Sequence, residues 1–270
     1  MLIQVLKKLR DAKTDGPQVM VFDIETTPME GWFWGCIKEF ISASQIKKPS
    51  EILCFSAKWL GEEAVFFDSR QGEKDDKRLC KVLWDLMDKA DVAIGHNGRA
   101  FDTATVFTRF AKWGMGEPSP FKIVDTYSIA KRRFRFPRNQ LDAIARYLDV
   151  GRKLEHEGFE LWLKCMAGDK GAWERMRAYN INDVTVLEDV YMKIRSFDRT
   201  HPNIGLMVGD GKVRCVCCGS DRLKAIVGKS AYTGVGEYEA FRCMACKKVM
   251  RQRHRVSQKG WGDEHVTNFQ

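Results

Sequence analysis

The sequence predicts an α/β chain, with a mixed sheet flanked by helices and then a small C-terminal domain stapled by cysteines. Three observations predict it. Three strand-prone runs come first, and strand and helix then alternate, the pattern of a mixed sheet covered by helices. Pro202, Gly205, Gly209 and Gly211 crowd the stretch 197–211, which reads as a linker. Beyond it fall five of the nine cysteines, Cys215, Cys217, Cys218, Cys243 and Cys246.

The elements follow in order. Met1–Lys13 sets Leu2, Ile3, Val5, Leu6 and Leu9 between lysines, a short amphipathic helix too broken for a signal-peptide core. Thr14-Asp15-Gly16-Pro17 is a turn, and Val19–Ile24 is a strand. Met29–Ser50 carries Trp32, Phe33, Trp34 and Phe40 without clean periodicity and reads as an irregular excursion. Ile52–Trp59 and Ala64–Asp68 form a hairpin through Gly61-Glu62-Glu63. Leu79, Val82, Leu83, Leu86 and Met87 are helically spaced within Lys77–Lys89. Val92–Gly95 and Phe121–Val124 are short strands, and Phe101–Trp113, Leu141–Leu148, Phe159–Met166 and Ala172–Arg195 are helices. Asp125-Thr126 caps a further helix. The expected domains are 1–200 for the sheet, 201–211 for the linker, 212–256 for the stapled domain and 257–270 for a basic, polar tail.

At 44% hydrophobic and 30% charged, the chain can bury a core and carries no apolar run long enough to span a membrane. Without a targeting signal, the expected location is cytoplasmic or nucleoid-associated. Residues 207–270 hold 12 Lys and Arg against 6 Asp and Glu, so +6 of the net +9 lies there. A basic appendage on a nearly balanced body suits a polyanion, most simply nucleic acid.

Asp23 and Glu25 sit two apart at a strand end and so share a face. Two carboxylates there repel each other unless a cation lies between them. Gly95-His96-Asn97-Gly98 allows a tight loop, after which Phe101-Asp102 opens a helix. Helix arithmetic singles out Asp183. At about 100° per residue with Tyr179 at zero, Asp183 falls near 40° among Val186, Leu187, Val190 and Ile194, while Asn182, Thr185, Glu188, Asp189 and Lys193 take the opposite arc. An inward carboxylate is costly unless a metal or a salt bridge to Lys or Arg neutralises it.

Asp23-x-Glu25, Asn97-x-x-x-Phe101-Asp102 and Tyr179-x-x-x-Asp183, in this order, resemble the three motifs of the DEDD exonucleases. Tyr rather than His in the third motif resembles the subgroup that includes the proofreading domains of family B DNA polymerases. The resemblance covers about residues 18–196 and implies a ribonuclease H-like fold with two-metal, 3′-to-5′ hydrolysis of nucleic acid. It implies catalytic roles for Asp23, Glu25, Asp102, Tyr179 and Asp183, with the four carboxylates holding two Mg²⁺ or Mn²⁺ ions. Such hard cations prefer carboxylate oxygens. Asp23 is suited to bridge both ions, and Tyr179 to orient the attacking water. Thr26, His96, Asn97 and Phe101 are the expected substrate-binding residues, although His96 reads equally well as a loop-structural group. Asp125 reads as a helix cap rather than a fifth ligand.

The two cysteine knuckles are separated by 24 residues that hold the strand-prone runs Lys224–Val227 and Tyr238–Arg242. Two CxxC pairs make a tetrahedral Zn²⁺ site. Cys215, Cys218, Cys243 and Cys246 are the expected ligands, with Cys217 a spare thiol, in a zinc ribbon. The basic residues around it, with Tyr232, Tyr238 and Phe241, suit nucleic acid. Lys131–Arg138 is a second basic, aromatic stretch, read as a contact for the substrate strand. DNA is the expected substrate and a replication or repair protein a further partner. The alternatives are an RNA-directed exonuclease or an endonuclease on the same fold, and a catalytically dead adaptor.

Overall fold

The computed structural model describes residues 16–35, 40–98, 100–234, 236–254 and 256. The helix expected over Met1–Lys13 and the tail 257–270 lie outside them. Two compact units divide at Lys193/Ile194.

The first unit is built on a five-stranded sheet. In chain order it runs β1 (Val19–Thr26), β2 (Glu30–Gly31), β3 (Ile46–Lys48), β4 (Ile52–Trp59), β5 (Phe66–Ser69), α1 (Lys77–Met87), β6 (Val92–Gly95), α2 (Asp102–Lys112), β7 (Lys122–Asp125), α3 (Thr126–Arg133), α4 (Leu141–Tyr147), α5 (Phe159–Met166) and α6 (Lys170–Ile194). The sheet order is β5-β4-β1-β6-β7. β4 pairs antiparallel with β1 on one side and with its hairpin partner β5 on the other, whereas β6 and β7 join through helical crossovers and run parallel to β1. The excursion at 29–50 contains a small ladder, β2 against β3, with a 3₁₀ turn at Ala43–Gln45.

All eight residues of β4 are buried because helices cover both faces of the sheet. Phe55, Ala57 and Trp59 pack with Leu79, Leu83 and Leu86 of α1 and Val106 and Phe110 of α2. Leu53 and Cys54 pack with Leu161 and Cys165 of α5 and Trp173, Met176 and Tyr179 of α6. On the opposite arc of α6, Glu188 departs from its expected solvated position. It is buried, ion-pairs with Lys58 of β4, and accepts the Gly61 N–H at 2.7 Å. The outward arc is therefore only partly outward, since α6 is long enough to reach the far end of β4.

A buried ionic knot fixes α2. Asp76, with no exposed surface, accepts Nε and Nη2 of Arg109 at 2.7 and 2.6 Å, Trp113 Nε1 at 2.8 Å and the Ile52 N–H at 2.8 Å. Glu51 closes it with Arg109 and Arg70. Removing one partner strands a buried charge, so Arg109→Met is expected to destabilise this unit by about 3–5 kcal/mol. Urea unfolding monitored by tryptophan fluorescence would read the shift, and an unchanged midpoint would contradict it.

The second unit contains α7 (Ile204–Met207) and β8 (Leu223–Ala225), β9 (Ala231–Thr233), β10 (Gly236–Tyr238), β11 (Ala240–Cys243) and β12 (Val249–Arg251). The larger sheet is β12-β11-β8, and β9 and β10 form a separate hairpin. The stretch 201–211 is not a bare linker. Ile204 N–H bonds Val216 O at 2.8 Å, and Gly219 lies against Ile204 and Val208, which seats α7 on the first knuckle. Tyr238 is buried, with the Arg251 guanidinium 4.0 Å from its ring centroid, so it is not a free stacking face; Tyr232 is exposed. Lys248 is buried and donates to Asp198 O rather than facing solvent.

Candidate active site

β1 brings two carboxylates to one face. Asp23 lies opposite Ser56 and Glu25 opposite Cys54, and the register slips between Glu25 and Thr26. The slip is a bulge, a device that re-aims side chains at a strand end. Thr26 follows it, half-buried. The face carrying Asp23 and Glu25 is the one covered by α6, and there α6 presents Tyr179, Asn180 and Asp183, all buried.

Asp102 arrives from β6 through a loop only glycine can close. A Cβ on Gly95 would sit 3.0 Å from Gly98 Cα, and one on Gly98 3.0 Å from Gly95 Cα. Asn97 between them takes φ 63°, and its N–H donates to Asp125 Oδ1 at 2.9 Å. Asp125 also caps α3 through the N–H groups of Tyr127 and Ser128. Asp102 is the first residue of α2, where its Oδ1 receives the Ile24 N–H at 3.4 Å. That bond ties it to β1 between the other two acids.

Oxygens of Asp23, Glu25 and Asp183 lie within 4.8 Å of one another. Burial, then Glu25, Asp102 and Asp183, push the Asp23 carboxyl well above the usual carboxylate range. Burial, then Asp183, raises Glu25 to about 8, and burial raises Asp102 to about 6. Asp183 is raised by burial, although Lys153 opposes the shift. The Lys153 ammonium donates to Asp183 Oδ2 at 2.5 Å and to Tyr179 Oη at 3.2 Å. Burial opposes its charge, but Asp183, Tyr179 and Asp23 outweigh that and hold Lys153 above its usual range. Asp183 Oδ1, buried, has no hydrogen-bond partner. An all-carboxylate donor set with a vacant buried oxygen and too little positive charge fits hard divalent cations.

Three groups escaped the sequence reading. Lys153 supplies the salt bridge weighed there as the alternative for Asp183, and it comes from the segment 149–158, which has no periodicity. Asn180 Nδ2 donates to Asp23 Oδ2 at 2.8 Å. Trp162 of α5 hydrogen-bonds Glu25 and packs against Tyr179 at 6.2 Å between ring centroids. The signal for Lys153 was charge balance, since four converging acids call for a cation from somewhere.

The expected substrate residues divide. Asn97 is exposed, and His96 and Asn97 share with Lys153 the wall of a cleft of about 690 Å³; Thr26 and Phe101 are not in its lining. Phe101 is 47% exposed beside Asp102. Both ring nitrogens of His96 have internal partners, Thr126 Oγ1 and Asn139 O, each at 2.9 Å. Burial lowers its pKa to about 4, leaving it neutral, and because Asn139 O can only accept, the proton sits on Nε2. His96 therefore braces the loop.

In the second unit the sulfurs of Cys215, Cys218, Cys243 and Cys246 lie within 4.8 Å of one another. Cys215–Cys246 and Cys218–Cys243 are 3.5 and 3.7 Å apart. Four thiolates at about 2.3 Å from a tetrahedral Zn²⁺ would stand roughly 3.8 Å apart. Cys217 is buried outside the quartet. Gly219 and Lys247, each directly after a knuckle, take φ 71° and 65° and turn their N–H groups to Cys215 O and Cys243 O.

Residues 43–195 match the family model of the RNase H superfamily. That match begins after Asp23 and Glu25, whose placement rests on the geometry above. A curated relative, a PolC-type DNA polymerase III of Ureaplasma parvum, is 24% identical over 166 residues, covering 55% of this chain and 11% of its own length. Among solved structures, the family B DNA polymerase of the archaeon Pyrobaculum calidifontis superposes with a TM-score of 0.53 at 18% identity, over 71% of this chain and 26% of that one. The EXO domain of Aedes aegypti Nibbler gives a TM-score of 0.47 at 15% identity, over 72% and 83%. The likeness to the family B polymerase concerns the fold, and the chain spans only about a tenth of the PolC-type relative and a quarter of the polymerase.

Proposed function

We propose that this chain, which belongs to the RNase H superfamily, is a two-metal 3′-to-5′ exonuclease acting on nucleic acid, with DNA as the expected substrate. The observation that carries the reading is the convergence of Asp23, Glu25 and Asp183 within 4.8 Å, with Asp102 bonded to the same strand. Burial raises the pKa of all four acids, and at Asp23 and Glu25 repulsion from the neighbouring acids adds to it. Clusters with perturbed ionisation mark functional sites more often than structural ones. The similarity to polymerases, whose names concern DNA, favours DNA over RNA.

Asp23, Glu25, Asp102 and Asp183 would hold the ions, Mg²⁺ or Mn²⁺. When bound, two such ions supply a hydroxide nucleophile at neutral pH and neutralise the leaving oxygen. The chain's own groups do the positioning. Asn180 fixes the Asp23 rotamer and Trp162 that of Glu25. Tyr179 accepts from Lys153 and hydrogen-bonds Asp183, which holds its hydroxyl beside the acid cluster where it would orient a water. Burial, then Asp183, holds that phenol well above its usual range, so it stays protonated. Cys215, Cys218, Cys243 and Cys246 would hold one structural Zn²⁺. The exposed cations Arg222, Lys224, Lys229, Arg242, Lys247 and Arg253 suit the ribbon to phosphate, with a replication or repair protein as a further partner. Among the described residues no helix is long and apolar enough to cross a membrane.

Labelled single- and double-stranded DNA and RNA, incubated with Mg²⁺ or Mn²⁺ and resolved on a gel, test the reading. A ladder shortening from the 3′ end, stopped by a 3′ block and by EDTA, is the expected result. Internal cuts on 3′-blocked strands, or no hydrolysis of any strand, would overturn it.

A further inference from the structure

From the last turn of α3 into the segment before α4 the chain places five cations in eight residues, Lys131, Arg132, Arg133, Arg135 and Arg138, with Phe134 and Phe136 among them. The two phenyl rings stack at 5.0 Å between centroids, and Phe136 meets Tyr147 of α4 edge-on at 5.3 Å. Phe134 and Phe136 are half-buried, and Phe136 packs on α4. Arg135 is exposed, as are Lys131 and Arg138. No ion pair engages Lys131, Arg135 or Arg138 among the described residues.

This strip is fastened to the carboxylate centre. His96 bonds Thr126 Oγ1 with one ring nitrogen and Asn139 O with the other. It thereby staples both ends of the segment 126–139 to the loop that presents Asn97. Arg138 then lines the same 690 Å³ cleft as Asn97, Tyr127, Gln140 and Lys153. Lys153, also in the lining, reaches Asp183 and Tyr179. One acid, Asp142, lines the cleft, and it is engaged by the Lys153 N–H and the Arg146 guanidinium. A concavity lined by two cations, Arg138 of the basic strip and Lys153 bonded to the acid cluster, matches the charge of a phosphodiester chain.

We propose that this strip and cleft are the track of a single nucleic-acid strand, with Arg135 and Arg138 on its backbone phosphates and the 3′-terminal phosphodiester beside Lys153. The proposal rests on the exonuclease reading and specifies how the substrate is held. The contacts are to phosphate, so they carry no sequence preference.

The test uses the full chain and a fluorescein-labelled single strand with no divalent cation added, and anisotropy is followed against KCl. The double substitution Arg135→Ala and Arg138→Ala is expected to flatten the slope of log affinity against log salt by roughly 1.4, at about 0.7 per lost phosphate contact. The Arg135→Lys and Arg138→Lys pair should restore it, since a phosphate contact needs only the charge. Hydrolysis of the p-nitrophenyl ester of thymidine 5′-monophosphate in Mn²⁺, which needs no track, should be unchanged in both variants. An unchanged salt slope in the alanine variant would overturn the proposal and leave the strip as a docking face for an acidic protein. Equal loss on the small ester would also overturn it, because the arginines would then be supporting the catalytic centre. Failure of the exonuclease reading looks different: the unsubstituted chain would hydrolyse neither strand nor ester, whatever the anisotropy gave.

Discussion

Asp23→Ala is expected to lower hydrolysis at least about a thousandfold, equivalent to ~4 kcal/mol of transition-state stabilisation, while strand affinity is largely kept. Asp23 is the acid on which the others converge. It shares its face with Glu25, is held by Asn180, and feels Glu25, Asp102 and Asp183 together. Strand affinity comes instead from Lys and Arg on phosphates. Single-turnover hydrolysis alongside anisotropy separates the two, and cleavage near the unsubstituted rate would sink the assignment. A second readout follows from the electrostatics. Asp23 is raised above its usual pKa by burial and then by its neighbours, so the folded state holds its proton more tightly than the unfolded one. The associated stability is present at acid pH and is lost as pH rises through the folded value. Without divalent ions, Asp23→Asn should therefore melt above the unsubstituted chain at alkaline pH, with the gap closing on acidification. Calorimetry across that range shows it, and a gap of opposite sign would mean Asp23 is stabilised as an anion.

Stripping zinc is expected to unfold the second unit and leave the first intact. The reason is how little else holds it. The buried cluster there is Cys215, Cys217 and Cys243, edged by Cys218, Cys246, Leu223 and Met250, so the core is largely sulfur. The hydrogen bonds with Cys215, Cys246 and Cys243 press Cys218 down to about 4, a thiolate ready for metal. Structural Zn²⁺ contributes roughly 10–16 kcal/mol in isolated zinc-finger peptides, far more than a core of this size. The purified chain should carry one Zn²⁺. Cys215→Ser and Cys243→Ser should lose it and the folding transition of this unit, whereas Cys217→Ser should keep both. Elemental analysis with circular dichroism reads the result; a zinc-free chain with an unchanged spectrum would rule the site out.

The central strands were legible because helices bury them on both faces, so Val19–Ile24, Ile52–Trp59 and Val92–Gly95 read as mostly apolar runs. The acids were legible because strand and helix periods place residues two and four apart on one face, which brought Asp23 to Glu25 and Asp183 to Tyr179. What periodicity cannot give is the partner across the gap. The arithmetic that placed Glu188 outward had no knowledge of Lys58, and none reveals a lysine in an aperiodic loop reaching a helix 30 residues later. Asn180 and Trp162 were invisible for the same reason. Their partners are long-range, and each looks locally like an ordinary helix residue.

The two anchors on α6 bear on descent. Asp183 serves the acid cluster, and Glu188, five residues on, is tied to Lys58 and Gly61. One inserted or deleted residue between them would turn one against the other by about 100° and slide it by about 1.5 Å. Either the centre would lose its acid or a buried carboxylate would be stranded against β4. The interval is thus closed to length change in any lineage that keeps both, while the sequence inside it stays open to drift. Gene-length variation should therefore collect in the 29–50 excursion, which hangs between β1 and β4 on a two-residue strand.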